Sequence, residues 1–461
     1  MEGIIERLLA FNEQINSIVW GPPFMILLVG TGLYLTIRLG FFQFTHLGHA
    51  WRNTFGKVFK KEKKGDEDGE ITSFQAVTSA MAATIGVGNI AGVATAIAVG
   101  GPGAVFWMWV SALFGMATKF GEAAFGVKYR NVNEDGSYSG GVMQYIENGL
   151  GKGWKWLAVL YALFAGLAAF GIGNMVQSNT VAVALSEFGV SANVTGVIIV
   201  VLVGLVTLGG IKRVASTAEK VVPLMTLIYF AGAIVIIIAN ISAVPGAFRD
   251  IFYYAFRPAA GVGGFAGATV AQSIRYGVAR GIFSNEAGLG AASIVHAQAK
   301  NTPVKQGMWG IWEVFIDTML VCTMTAVVIL STGVFGGVNE AGELLDGAEL
   351  TSAAFTQGLP GPGGYVVLIA LIFFAYTTML TWNFYGEKSW EYIFGKKVVL
   401  PYRLLFLGFL FLGAVGGLQL IWNVADTLNG LMAAPNLIAL IALGGILAKE
   451  KNNYTDKLDN K

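Results

Sequence analysis

The chain is 461 residues long, 55% hydrophobic and 13% charged, with a formal net charge of +2. A soluble domain carries about a quarter charged residues, so this composition excludes an ordinary globular protein, and the near-neutral charge gives no nucleic-acid partner. A mean hydropathy of +0.63 and recurring apolar runs of about 20 residues, enough to cross a hydrocarbon core, predict an all-α integral membrane protein; the short alternating segments of a β-barrel are absent.

Eleven spans are predicted, near 19–37, 72–99, 103–127, 156–185, 194–209, 217–240, 265–298, 306–333, 363–394, 399–416 and 421–447. The first is not a signal peptide, because an acidic, amphipathic stretch precedes it and no small-residue cleavage pattern follows. With the N-terminus outside, the inner segments, including Lys119 to Lys155, hold 25 Lys and Arg against three outside. That bias predicts an outside N-terminus, a cytoplasmic C-terminus and a multi-pass protein of the cell membrane. The stretch "KVFKKEKKGDEDGE" (57–70) reads as a solvated cytoplasmic linker, and the acidic outer loop near 334–357 as a cap with short helices. Cys322 is the lone cysteine, which excludes an internal disulfide, and His46, His49 and His296 are scattered.

Two spans are broken near their middles. One carries "ATIGVGNIAG" (83–92), the other "ARGIFSNEAGLGAAS" (279–293). Glycine costs about 1 kcal/mol in a helix interior relative to alanine, and an unpaired backbone group in hydrocarbon costs several kcal/mol. Such backbone is tolerated where it lines a cavity or coordinates something: freed carbonyls for a small cation, half-helix amides for a carboxylate. Setting the first span aside leaves two groups of five, 72–240 and 265–447, with a break in the first span of each. The groups start on opposite sides, the pattern of an inverted repeat. This divides the chain into an extra span and linker (1–71), two five-helix repeats and a tail (448–461).

In the ninth span, Thr377, Thr378 and Thr381 fall close together, with Thr377 and Thr381 on one face by their i, i+4 spacing. Two roles are open to these hydroxyls: bonding back to their own helix, or serving as oxygen ligands for a hard cation. Trp382 and Phe283 are candidate walls of a small pocket. Charges inside spans are functional candidates: Glu286, Asp317, Asp426, Arg275 and Arg280. Glu286 can accept a substrate ammonium, help hold a cation or stabilise a half-helix N-terminus; Asp317 is the stronger cation candidate.

The stretch "GGPGAVFWMWVSALFG" (100–115) resembles the signature of the alanine or glycine:cation (sodium:alanine) symporter family. That family belongs to the amino acid–polyamine–organocation superfamily with the LeuT-like 5+5 inverted repeat, and the resemblance covers essentially the whole chain. "GVGN" (86–89) looks like the break of that fold. The resemblance implies a substrate carboxylate on the backbone of Gly86, Val87 and Gly88, with Thr84 beside it. It makes Asn89 a sodium ligand, together with Thr84 and Ser284, and the isolated carboxylate of Asp317 is assigned to the same site by its own chemistry. A further sodium site would join the carbonyls of Ala82 and Ile85 to Thr377, Thr378 and Thr381, with Thr378 also near substrate. "FSNEAGLG" (283–290) is similar to the second break, making Phe283 an aromatic gate and Ser284 a hydroxyl ligand. It departs from the pattern in Asn285 and in Glu286, which stands where the family fold has a serine. "AAFGIGNMVQSN" (168–179) offers Phe170, Asn174 and Gln177 to the pocket.

The expected activity is sodium-driven symport of alanine or glycine by alternating access across the lipid bilayer. No enzymatic constellation and no obligatory protein partner are evident. Proton coupling through Glu286 or Asp317, or a channel, are the alternatives.

Overall fold

The computed structural model describes residues 2–58, 68–259, 267–339, 341–416 and 419–459; most of the charged linker predicted over 57–70 lies outside them. The fold is almost wholly helical. In chain order the principal helices are α1 (Glu2–Val19), α2 (Pro22–Arg38), α3 (Ser73–Thr84), α4 (Val93–Gly100), α5 (Ala104–Lys128) and α6 (Lys155–Phe170). These are followed by α7 (Val176–Ser186), α8 (Ala192–Thr207), α9 (Gly210–Ala239), α10 (Val244–Tyr254), α11 (Val270–Asn285) and α12 (Ala292–His296). The last six are α13 (Pro303–Val314), α14 (Thr323–Ser331), α15 (Gly347–Gly358), α16 (Gly363–Phe394), α17 (Val399–Val415) and α18 (Gln419–Asp459). A two-stranded hairpin, β1 (Asn131–Val132) with β2 (Tyr138–Ser139), follows α5.

Among the described residues, eight helical stretches are long and apolar enough to cross a membrane. A ninth forms if α3 and Gly88–Gly100, bent by 51° at the first break, count as one span. α8 is a shorter apolar helix, and α11 and α12 flank the second break. α15 lies in the predicted acidic cap.

Local sequence explains where the broken spans begin. Thr72 accepts from the Gln75 amide while Gln75 accepts from the Thr72 amide, and Thr269 and Gln272 repeat that reciprocal cap at the start of α11. Both broken spans thus start with Thr-x-x-Gln, which satisfies two orphan amides each. The signature stretch has a packing role. Gly101 turns at φ 73°, and a Cβ on Gly103 would lie 2.2 Å from the Tyr254 carbonyl oxygen. Trp107 Nε1 then donates to the Ala255 carbonyl at 3.0 Å, and Phe106 and Trp107 stack edge-on with Phe256. These contacts anchor α5 to the amphipathic α10.

Lipid supplies no hydrophobic drive between helices, so close approach depends on small residues. The outward faces of α8, α9 and α17 expose Ile198, Leu205, Leu227, Leu400, Leu404 and Leu412. The middle of α16, by contrast, is buried through Thr377–Gly386, wrapped by α3, α6, α7 and α9. Gly173 makes that possible, because a Cβ there would sit 2.0 Å from Trp382 Cβ. Helical winding widens to i→i+5 bonding over Gly88–Gly92, Gly171–Met175 and Phe315–Cys322, a local defect that recurs at functional sites. One reading of the sequence is corrected here: Lys119, assigned to a cytoplasmic segment, lies inside α5 and is fully buried.

Candidate functional site

α3 ends at Thr84, and Ile85 turns the chain to extended geometry at ψ 90°. The Gly86 amide donates to Asn89 Oδ1 at 2.7 Å instead of continuing the helix to the Ala82 carbonyl. The Asn89 amide goes to the Gly86 carbonyl, which leaves the Ile85 carbonyl free of its i+4 donor. Asn89 therefore splints the first break with its own side chain. Thr84 is buried and bonds back weakly to Ala80, at 3.4 Å.

The second break follows α11. Glu286 caps that helix in the left-handed region at φ 55°, and Gly288 and Gly290 have φ values of 100° and 82°. Only residues without a Cβ adopt such angles at little cost, so the Glu286 backbone is strained.

The breaks meet face to face. A Cβ on Gly88 would lie 3.2 Å from Ser284 Cα and 3.4 Å from the Phe283 ring. Phe283 is half-buried and carries the Arg280 guanidinium 5.7 Å from its ring centroid. Asp317, in the widened turn of the eighth span, joins the two. It accepts from Asn89 Nδ2 at 2.7 Å, from Ser284 Oγ at 3.0 and 3.1 Å and from Thr318 Oγ1 at 2.8 Å. Asn285 Nδ2 in turn donates to Thr318 Oγ1 at 2.9 Å. Asn89, Ser284, Thr318 and Asp317 are all buried, so a carboxylate, two hydroxyls and an amide converge in one place.

A second group of oxygens lies where α16 crosses α3. Thr378 Oγ1 lies 2.8 Å from the Phe374 carbonyl of its own helix and 3.2 Å from the Ala82 carbonyl, and Thr381 Oγ1 donates to the Ser79 carbonyl at 3.0 Å. A Cβ on Gly86 would approach the Thr378 hydroxyl to 3.1 Å. Thr377 departs from expectation. Its hydroxyl bonds back to Phe373 and Phe374 and lies 3.6 Å from Met225 Sδ, on the α9 side. The i, i+3 pair Thr378 and Thr381 faces the break, because a 3.6-residue turn places i+3 as near as i+4.

Glu286 accepts from Trp382 Nε1 at 3.1 Å, and its Oε2 has no partner. Of the three roles open to it, stabilising the following half-helix is performed elsewhere: Glu122 Oε1 takes the Gly288 and Gly290 amides at 2.9 and 3.1 Å. Phe170 is also corrected. Its ring packs against Tyr402, Phe406 and Phe409, and Asn174 Nδ2 donates to the Phe406 carbonyl, so both turn toward α17. Gln177 bonds to the Ile172 carbonyl; Asn174 Oδ1 and Gln177 Oε1 are left unpartnered. Of the other in-span charges, Asp426 accepts from Asn16 of α1 at 3.1 Å, and Arg275 is exposed beside Tyr276.

Sequence reasoning missed Ser79, whose carbonyl carries no side-chain signal, and the buried group Lys119, Glu122, His296, Glu313 and Asn436. Lys119 pairs with Glu313 at 3.1 Å. The available signal was the i, i+3 spacing of Lys119 and Glu122 inside an apolar run.

The donors at the breaks are carbonyls, hydroxyls and one carboxylate, the set that suits a hard cation. Among the described residues, no group of three or more His, Cys, Asp or Glu is placed to hold a metal.

Comparison with known proteins bears on the fold and the family. Solved structures share the fold: MhsT in complex with L-phenylalanine superposes with a TM-score of 0.53 at 10% identity, covering 83% of this chain and 98% of that one. A manganese transporter of Eremococcus coleocola gives 0.52 at 14% identity, covering 84% and 82%. An uncharacterized transporter of Haemophilus influenzae is 48% identical over 97% of this chain and 96% of its own length. The sodium/alanine symporter AgcS of Methanococcus maripaludis is 46% identical over 97% and 98%. These relatives are transporters, not enzymes. A match to the sodium:alanine symporter family runs over residues 5–461, and the chain belongs to that family.

Proposed function

We propose that the chain takes up a small neutral amino acid, alanine or glycine, together with sodium, by alternating access. The observation that carries this reading is the meeting of the breaks, where Gly88 lies against Phe283 and Ser284 and Asp317 binds both Asn89 and Ser284. One sodium is held by Asp317, Ser284 and Thr84; Asn89, whose Oδ1 takes the Gly86 amide and whose Nδ2 donates to Asp317, holds that carboxylate against the first break and reaches the ion only through Oδ1. Another is held by Thr378, Thr381 and the carbonyls of Ala82 and Ile85, to which the Ser79 carbonyl is added here. The substrate carboxylate rests on the Gly86–Gly88 backbone and its ammonium on Glu286, between Phe283 and Trp382. Eleven spans in a 5+5 inverted repeat after one extra span, with the N-terminus outside, complete the reading. The Lys and Arg bias and the paired Thr-x-x-Gln caps support it.

Sodium and substrate hold the same two broken spans together, so each binds better when the other is present. A sodium moved inward across 100 mV supplies roughly 2.3 kcal/mol, more than the 1.4 kcal/mol needed for tenfold accumulation. Proteoliposomes given either an inward sodium gradient or an inward proton gradient test the reading with labelled alanine. Sodium-driven accumulation is expected. Uptake that follows the proton gradient and ignores sodium would replace sodium with protons as the coupling ion.

A further inference from the structure

The unwound turn after the second break is held by side chains from other helices. Glu122 Oε1 receives the Gly288 amide at 2.9 Å, the Gly290 amide at 3.1 Å and Asn436 Nδ2 at 2.7 Å. Asn436 Nδ2 also meets the Gly288 carbonyl at 2.8 Å, Tyr145 donates to Asn436 Oδ1, and Tyr161 donates to the Leu289 carbonyl at 3.2 Å. Asn436 follows Pro435 in α18. Glu122 is fully buried, where an ionised carboxylate persists only if something compensates its charge.

Hydrogen-bond polarity identifies that compensation. The Thr302 amide donates to Asn301 Oδ1 at 2.9 Å, so Asn301 Nδ2 is the donor to Gln306 Oε1, also at 2.9 Å. Gln306 Nε2 then donates to His296 Nδ1 at 2.7 Å. The His296 proton is thereby on Nε2, donated to Glu313 Oε2 at 3.0 Å. Glu313 is an acceptor, and Lys119 sits 3.1 Å from its other oxygen but 3.9 Å from Glu122. The lysine lies closer to Glu313 than to Glu122. The Glu122 charge is compensated by the Lys119 ammonium beside Oε2 and by three N–H donors on Oε1, two of which belong to the turn.

We propose that Glu122 is a positioning residue for substrate binding. Its carboxylate fixes the Glu286–Gly290 turn and thereby aims Glu286 and the Phe283–Ser284 segment at the substrate. A neutral glutamine could accept the same amides, but charge-assisted bonds are roughly twice as strong, so the anion holds a strained turn that a neutral group holds loosely. The inference rests on amino-acid binding at the breaks. The titratable groups facing Glu122 are Lys119 on its own helix, Glu313 on α13, Glu286 on the turn, and Tyr145 and Tyr161 from the α6 side.

The test is alanine uptake by purified Glu122→Gln in proteoliposomes at pH 8. The expected result is an alanine KM raised about tenfold over the parent, with the maximal rate near parental. A parental KM, or a fall in rate at parental KM, overturns the proposal. Should Glu122→Gln fail to fold, Asn436→Ala removes one donor and keeps the charge; it is expected to raise KM several-fold, and an unchanged KM overturns the proposal equally. Absence of sodium-driven alanine uptake in the parent would count against the transport reading instead.

Discussion

Replacing Asp317 by asparagine separates the charge of the cation site from its shape. Asn89 Nδ2 can still donate to the remaining oxygen, and the Ser284 and Thr318 hydroxyls can rotate to accept from the new amide, since a hydroxyl both donates and accepts. The protein loses the charge assistance of three bonds spanning 2.7–3.1 Å, about 1 kcal/mol each at most. A bound cation loses more. A unit charge about 4 Å away contributes about 4 kcal/mol at the effective dielectric near 20 that suits protein interiors, and the amide dipole returns only part of it. The expected outcome for Asp317→Asn is a sodium half-saturation concentration raised about a hundredfold, equivalent to roughly 2.7 kcal/mol. The variant should remain monodisperse in detergent. The assay is labelled alanine uptake against sodium concentration in proteoliposomes at fixed membrane potential. A half-saturation within threefold of the parent, with transport intact, would refute the placement of sodium at Asp317.

Three further outcomes follow from the packing. Gly88→Ala puts a methyl group 3.2 Å from Ser284 Cα, and overpacking of this kind costs about 1–3 kcal/mol; alanine KM should rise at least fivefold and the melting temperature should fall, and a parental KM counts against contact between the breaks. Gly173→Ala drives a Cβ to 2.0 Å from Trp382 Cβ, so a lower melting temperature in a detergent-based unfolding scan is expected, and full stability would mean that Trp382 is seated elsewhere. Thr381→Ala should raise the sodium requirement of uptake tenfold or more, whereas Thr377→Ala, whose hydroxyl faces Met225, should leave it unchanged; equal effects would contradict the assigned faces.

The membrane character and both breaks were legible because they are written in composition and in runs of glycine, which respond to one environment. Asn89, Ser284 and Asp317 could be named from sequence because each is a polar residue at a break or alone in an apolar span. Their convergence on one carboxylate was not legible, since it joins residues more than two hundred positions apart. The threonine faces were misjudged because 3.6 residues per turn leaves i, i+3 and i, i+4 equally eligible, and the partner helix decides between them. Phe170 was misplaced for a related reason: an aromatic beside a widened turn has no period that points it inward. Lys119 was illegible because a basic residue near a span end normally marks the cytoplasmic side, and only Glu313, far along the chain, reveals it as buried and paired.

The two breaks are held in different ways, and this bears on how the site can move. Each has a local splint: the Gly86 amide donates to Asn89 three residues away, and the Ala287 amide to Asn285 two residues away. Those bonds travel with the breaks, so hinging of the half-helices does not release them. The second break is in addition held from outside, by Glu122 of α5, Asn436 of α18 and Tyr161 of α6. α11 and α13 both pack extensively on α5, and the Lys119–Glu313 pair ties α13 to it as well. A rocking motion that keeps α5, α11 and α13 together therefore keeps the Gly288 and Gly290 amides on Glu122 and breaks the bonds from Asn436 and Tyr161. The Tyr161 bond to the Leu289 carbonyl is neutral and contributes about 1 kcal/mol, whereas Asn436 also donates to the buried carboxylate at 2.7 Å, a charge-assisted bond that costs more to release. Two of the three donors on Glu122 thus lie inside the unit that stays whole, and the cheapest bond across the sliding surface is that of Tyr161. Tyr161→Phe, which deletes one sliding-surface bond, should leave alanine KM near parental and change the maximal rate. A raised KM with an unchanged rate would assign Tyr161 to the binding pocket rather than to the moving interface.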